Sequence, residues 1–236
     1  MNIDAPQGDG PQAVRADRYA DISTLEFEFE SVSEIYMNAV FEHFQRHEAL
    51  RILRKFYSWL KAGGKVTIVV PDFWGTVRKL KKSKSLEEKA FWYRHLFGPQ
   101  DHPQYGNHLD GFDPERLKRI FEIVGFGSVK VTAFGDMPFL RVEAVKVKPY
   151  SSTEEFKQAA TKYLLYHEYR ADGGECFEAW LKALDIDVKA TKTKSPVIPL
   201  PTHGDSLGIR LKMYTRRVLG VRRYESIKKI LGKKRG

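Results

Sequence analysis

Residues 34–73 read "EIYMNAVFEHFQRHEALRILRKFYSWLKAGGKVTIVVPDF", and this stretch decides the fold. "EIYMNAV" (34–40) has the length and apolar content of a buried strand. From 45 to 61 the period changes. Leu50, Leu53, Phe56, Tyr57 and Leu60 recur at three- and four-residue spacing, which lays one apolar stripe along a helix. Gly63 and Gly64 are expected to stop that helix, because glycine takes the left-handed C-cap conformation without a side-chain clash. "KVTIVVPDF" (65–73) is a β-branched run of the kind buried in parallel sheets, ended by Pro71, which has no N–H for the ladder. Two ionisable residues, Glu42 and His43, stand directly between the first strand and the helix.

Working outward, "MNIDA" (1–5) reads as the end of a short strand and "PQGDGP" (6–11) as a turn-rich loop. A weaker strand-like segment accompanies "AVRADRYADISTLEF". Downstream, residues 74–97 read as one helix, basic in its first half, and "GPQDHPQYGNHLDGF" (98–112) as a long polar loop. Asp113 caps a further helix with Pro114 at its first position; Leu117, Ile120, Phe121 and Val124 form its buried face and Gly125 ends it. "GSVKVTAF" and "FLRVEAVKVK" are strands joined by the turn "GDMP", and helices are expected near 153–169 and 174–184. There is no internal repeat. The alternation predicts a three-layer α/β sandwich over 1–149, accessory helices over 150–188, and a linker with a basic amphipathic tail over 189–236. Ligands of such sheets bind outside the carboxyl ends of the strands, where Asp4, Asn38 and Asp72 are expected.

Composition narrows the class. The chain has 236 residues, 42% of them apolar, enough for a full core. No apolar run reaches membrane-span length, and "MNIDAPQGDG" is no signal peptide, so the protein reads as cytoplasmic. Cys176 is the single cysteine, which excludes a disulfide scaffold and argues against a thiolate zinc site; it reads as a small buried residue. The net charge of +10 is unevenly placed: residues 189–236 hold 14 of the 40 Lys/Arg and 2 of the 30 Asp/Glu. The body is therefore close to neutral and the tail strongly basic. Leu207, Leu211, Tyr214 and Val218 share one helical face, with Arg210, Lys212, Arg216 and Arg217 around it. Residues 205–235 fit an anionic membrane surface, with docking on the body as the alternative and nucleic acid less favoured.

The segments "EIYMNAVFEHF…ALRILRKFYSWLKAGGKVTIVVPD" and "HLDGFDPERLKRIFEIVGFGSVKV", in this order, resemble the class I S-adenosylmethionine-dependent methyltransferases over about residues 1–148. Ala62 stands where the family commonly has a proline. The resemblance implies a Rossmann-like fold and S-adenosylmethionine as cofactor. It implies that Asp4 accepts the ribose hydroxyls, that Asp21 meets the adenine amino group beside the Ile22 backbone, and that Met37, Asn38 and Ala39 line the cofactor. His43 then orients substrate or takes a proton, or else braces the turn together with Glu42; His102 and His108 are further candidate bases. Asp101, His102, Asn107, His108 and Asp110 fall in one loop, which reads as a substrate or cofactor lid or as simple loop polarity. No metal is expected, because no pair has the i, i+4 spacing of a helical zinc site.

The chain departs from the family in a second and larger respect. The glycine-rich turn and first strand are missing before Asp4, and "GDG" (8–10) follows no strand. An upstream extension of the natural protein is the favoured account; closure of the sheet without that strand, or a strand from another chain, are the others. Base-amino methylation is disfavoured because "MNAVFEH" is no Asn/Asp-Pro-Pro-aromatic run, and carbon-5 pyrimidine methylation because Cys176 lies outside the core segment. The expectation is methyl transfer to a small-molecule, glycan or lipid-linked acceptor. The rival readings are a non-catalytic relic of the fold acting as a binding or scaffold subunit, and an RNA methyltransferase.

Overall fold

The computed structural model describes residues 1–4, 16–101, 106–147, 153–168 and 174–187. The "GDG" turn, His102 and the basic tail lie outside the described residues.

Four strands form the central sheet: β3 (Val32–Asn38), β4 (Leu60–Pro71), β5 (Gly127–Phe134) and β6 (Phe139–Val145), in the spatial order β3-β4-β6-β5. β3 and β4 run parallel, with Met37 opposite Ile68 and Asn38 opposite Val69. β6 runs antiparallel to β4 and to β5. β4 is buried on both faces in its second half: Val66, Ile68 and Val70 on one side, Val69 and Pro71 on the other. That explains its unbroken β-branched run. The fold is thus mixed α/β, a central sheet flanked by helices.

Helix α1 (Arg46–Trp59) opens with a reciprocal cap between Gln45 and Glu48. Its stripe buries Leu50, Leu53, Phe56 and Tyr57 as the spacing predicts, and Ala49 and Ile52 with them. The expected glycine stop does not occur. The helix ends at Trp59, and Leu60 is already extended and begins β4. Gly63 (φ 75°) and Gly64 lie inside that strand, where the Gly63 N–H donates to the Lys146 carbonyl and the Gly64 carbonyl accepts from the Lys146 N–H. The glycine pair therefore serves the sheet ladder, and the helix is ended by its own tight junction with the strand. Lys146 is wholly buried beside it, its ammonium donating to the Leu60 carbonyl at 2.7 Å and reaching Glu30 at 3.1 Å.

The single helix expected over 74–97 is two. α2 (Phe73–Lys82) and α3 (Leu86–Phe97) are separated because the Ser85 hydroxyl accepts from the Glu88 N–H while the Glu88 carboxylate accepts from the Lys84 N–H, which starts a new helix. α4 (Pro114–Val124) has the expected Asp113 cap and a left-handed Gly125 at its end. α5 (Thr153–Leu165) and α6 (Glu175–Ala183) contribute Phe156, Ala160, Leu164, Phe177 and Leu181 to the same core cluster as α1 and α4. Cys176 is exposed, not buried as expected: α6 turns Phe177 and Leu181 inward, and the adjacent position faces solvent.

The N-terminal segment also departs from expectation. β1 (Ile3–Asp4) pairs in parallel with β2 (Arg18–Tyr19) as a separate two-stranded sheet, while Ile3 and Ala20 rest against the core. Asp4 is consequently not at a strand end of the central sheet.

Candidate functional site

The site is built where β3 ends. Ala39 follows Asn38 with φ at 51°, a left-handed turn, and its N–H donates to the Val69 carbonyl at 2.9 Å. That turn sends Phe41 into the core, stacked on Phe112, and leaves Glu42 and His43 in a single 3-10 turn (Phe41–His43). The apolar run thus continues inward through Phe41, and the ionisable pair Glu42 and His43 follows it in the turn at the end of the strand.

The loop before α4 docks on this turn through its backbone. The Glu42 carbonyl accepts from the Leu109 N–H at 2.8 Å and from the Asp110 N–H at 3.3 Å. The His43 Nδ1 lies 2.9 Å from the Asn107 carbonyl. The His108 N–H donates to the Phe97 carbonyl, and Gly98, with φ at 82°, lets the strand of loop at Gly106 pass close. The outcome is a meeting of three side chains from two distant segments. The His43 and His108 rings are 4.9 Å apart, centroid to centroid, and nearly perpendicular. His108 Nε2 is 3.9 Å from Glu42 Oε1. Ligand-type atoms of Glu42, His43 and His108 all lie within 4.8 Å of one another.

Burial sets the protonation of the trio. Glu42 is 1% exposed, its Oε2 has no hydrogen-bond partner, and loss of water pushes its carboxyl up to about 8 against a smaller opposing backbone hydrogen bond. Burial pushes the His43 imidazole down, with the Asn107 carbonyl opposing. His108 is pushed down to about 4, first by burial and then by the neighbouring His43, with the Leu96 carbonyl opposing. At neutral pH the ligand-free site therefore holds a neutral carboxyl group beside two neutral imidazoles, which can accept a proton or bind a Lewis acid.

The other expected site residues separate into two groups. Asn38 and Ala39 are exposed at the end of β3, next to the 3-10 turn, whereas Met37 points into the core. Asp72 stands three residues beyond Val69 at the start of α2, buried, with Oδ1 unpartnered and Oδ2 3.5 Å from Arg78. Asp21 and Ile22 belong to the N-terminal segment with Asp4. The Asp21 carboxylate accepts from the Ser23 N–H at 2.8 Å, a turn-forming bond, and Ile22 rests against the core. Asp110, read from sequence as part of a lid, is instead 3% exposed and paired with Arg116, which also donates to the Tyr163 hydroxyl at 2.8 Å. Sequence reasoning missed Arg116 and Tyr163, and gave Glu42 only a bracing part. The signal for Glu42 was its position directly after a residue of the core. A cleft of about 280 Å³, lined among others by Arg51, Arg54, Lys55 and Phe156, opens between α1 and α5 and shares no residue with the trio.

No family model and no curated protein matches the sequence. Among solved structures the chain is similar to a possible exported protein from Bordetella parapertussis, at 12% identity and a TM-score of 0.42 over 56% of this chain and 44% of that one. It is similar to a SAM-dependent methyltransferase from Archaeoglobus fulgidus, at 14% identity and a TM-score of 0.39 over 56% of this chain and 68% of that one. It is also similar to phosphoethanolamine N-methyltransferase 2 of Haemonchus contortus, solved with S-adenosylhomocysteine, at 16% identity and a TM-score of 0.37 over 55% of this chain and 37% of that one. The chain thus spans less than half the length of the Bordetella and Haemonchus proteins. Among the described residues no helix is long and apolar enough to cross a membrane.

Proposed function

We propose that this chain carries out S-adenosylmethionine-dependent methyl transfer to a hydroxyl or carboxyl of a small-molecule, glycan or lipid-linked acceptor. The observation that carries the reading is the meeting of His43, His108 and Glu42 at the carboxyl end of the parallel pair β3–β4, where sheets of this kind take their ligands. The residues present fit a nucleoside cofactor: Ala39 brings no bulky side chain to the strand end and Asn38 is exposed beside it. Asn38 and the Ala39 backbone would hold the cofactor, with Met37 supporting them from the core. When bound, S-adenosylmethionine supplies the electrophilic methyl group. The chain's own part is positioning and proton transfer: a neutral His43 or His108 takes the proton of the acceptor hydroxyl, with the Glu42 carboxyl group 3.9 Å from the His108 ring nitrogen.

Calorimetry with S-adenosylmethionine and S-adenosylhomocysteine tests this. Micromolar binding, weakened about tenfold or more by Asn38→Ala, is the expected result, and no heat at millimolar ligand sinks it. The second reading, a non-catalytic binding subunit of the same fold, is favoured by one observation: Asp4 lies in a separate sheet from Asn38. Absence of cofactor binding together with salt-sensitive binding of the full chain to anionic liposomes would favour that reading. The charge asymmetry of residues 205–235 supports a peripheral position on an inner membrane surface under either reading. Co-purifying RNA, released steeply by salt, would instead favour the RNA methyltransferase.

A further inference from the structure

We propose that Glu42, His43 and His108 form a binding site for a transition-metal dication of the zinc or iron(II) class. Three observations carry it. The donor set is one carboxylate and two imidazoles, with donor atoms already within 4.8 Å of one another. Metal–donor bonds of about 2 Å place neighbouring donors about 3 to 3.5 Å apart, so side-chain rotations would have to draw the trio in by about 1 to 2 Å. The second observation is the orphaned oxygen. Glu42 Oε2 is buried and has no hydrogen-bond partner, an arrangement that costs stability unless something else meets it. The third is the outer support. The His43 Nδ1 lies 2.9 Å from the Asn107 carbonyl, which fixes that nitrogen as the donor and leaves Nε2 free to ligate. The His108 Nε2 is turned to Glu42, 3.9 Å from its Oε1. Imidazole and carboxylate in this ratio select zinc, iron(II) or a neighbouring dication over magnesium or calcium, which take oxygen ligands.

Three protein ligands leave coordination positions open, as in sites where metal meets substrate. His43 and His108 are both partly accessible, so a ligand from solvent could reach an ion held there. An acceptor hydroxyl bound there would lose its proton more readily, and in the metal-bound form the ion would take over the activation otherwise assigned to the imidazoles, whose nitrogens would then be ligands and not bases. The inference rests on the geometry of the trio and not on the cofactor. Its failure and that of the methyl-transfer reading are therefore distinguishable: cofactor calorimetry is run in chelator, and metal uptake without cofactor.

The test uses the full chain, stripped with a chelator and titrated with cobalt(II) as a spectroscopic stand-in for zinc. One equivalent should bind with visible absorption bands and be displaced by zinc(II). Glu42→Gln, an isosteric change, and His108→Gln should each weaken uptake about tenfold or more, whereas His47→Gln, on α1 outside the trio, should leave it unchanged. Nuclear magnetic resonance of the unmutated chain supplies a measure independent of variant folding: cobalt(II) should broaden the His43 and His108 imidazole signals first. No uptake, uptake indifferent to Glu42→Gln, or broadening confined to other histidines overturns the proposal.

Discussion

The rings of His43 and His108 stand 4.9 Å apart, edge to face, although one follows β3 and the other lies in the loop before α4. The backbone bonds from Leu109 and Asp110 to the Glu42 carbonyl hold the two segments together. If the pair moves the acceptor's proton, His43→Gln and His108→Gln should each lower the turnover of methyl transfer by about a hundredfold or more. The affinity for S-adenosylmethionine should stay the same, because neither ring is assigned to the cofactor. Loss of cofactor binding with either variant, in a folded protein, would assign the histidines to binding instead.

Asp110 and Arg116 form a buried pair that anchors the same loop. Asp110 is 3% exposed, and both its oxygens meet the Arg116 guanidinium. Removing one partner leaves the other charge largely buried with weaker company, Arg46 at 3.7 Å for Asp110 and the Tyr163 hydroxyl and Gly111 carbonyl for Arg116. Asp110→Asn and Arg116→Met should each cost about 3 to 5 kcal/mol in urea unfolding. The double variant should cost less than the sum of the two singles, since the second change relieves the stranded charge left by the first.

Gly98 controls how closely the loop returns to α3. Its φ of 82° and the 2.4 Å from an added Cβ to the Gly106 carbonyl oxygen leave no room for a side chain. The same Cβ would lie 3.0 Å from the His108 N–H nitrogen. Gly98→Ala should therefore destabilise the fold by about 1 to 3 kcal/mol and displace His108. A matching loss of cobalt(II) uptake would tie the stability change to the site; an unchanged urea midpoint would contradict the close approach.

His167, after α5, links stability to pH. Its imidazole is pushed down to about 4, first by burial and then by the Arg116 and Arg46 cations, with Asp110 opposing. The unfolded imidazole titrates near about 6.5. On acidification the unfolded chain therefore takes up the proton first, and stability from this group falls as pH drops from about 6.5 to 4. Below that window both states are protonated and the loss is complete. His167→Gln should lose less stability than the unmodified protein between pH 7 and pH 4.5, measured by urea midpoints. Equal losses would mean that His167 protonates as freely in the folded chain as in the unfolded one.

The sequence by itself determined the order of elements, apart from the break between α2 and α3, and most of the core. The stripe Leu50, Leu53, Phe56 and Tyr57 and the run Val66 to Val70 are buried where their periods place them, because periodicity is a local property and burial of apolar surface is its direct consequence. The Asp113–Pro114 cap was legible for the same reason. Tertiary contact overrode local preference at Gly63 and Gly64, which pair with Lys146 instead of ending a helix, and at β1, which lies outside the central sheet. The site was half legible. Asn38, His43 and His108 of the candidate site can be picked out singly, but helical spacing along the chain compares only residues of one helix and says nothing of groups brought together from two segments. Glu42 and His108 become neighbours through the docking of one loop on one turn, and the protonation of both is set by how much water that docking removes. Residue identity fixes which groups can ionise. Only the tertiary structure decides which of them are buried together, because desolvation and mutual charge depend on distance in space and not on distance in sequence.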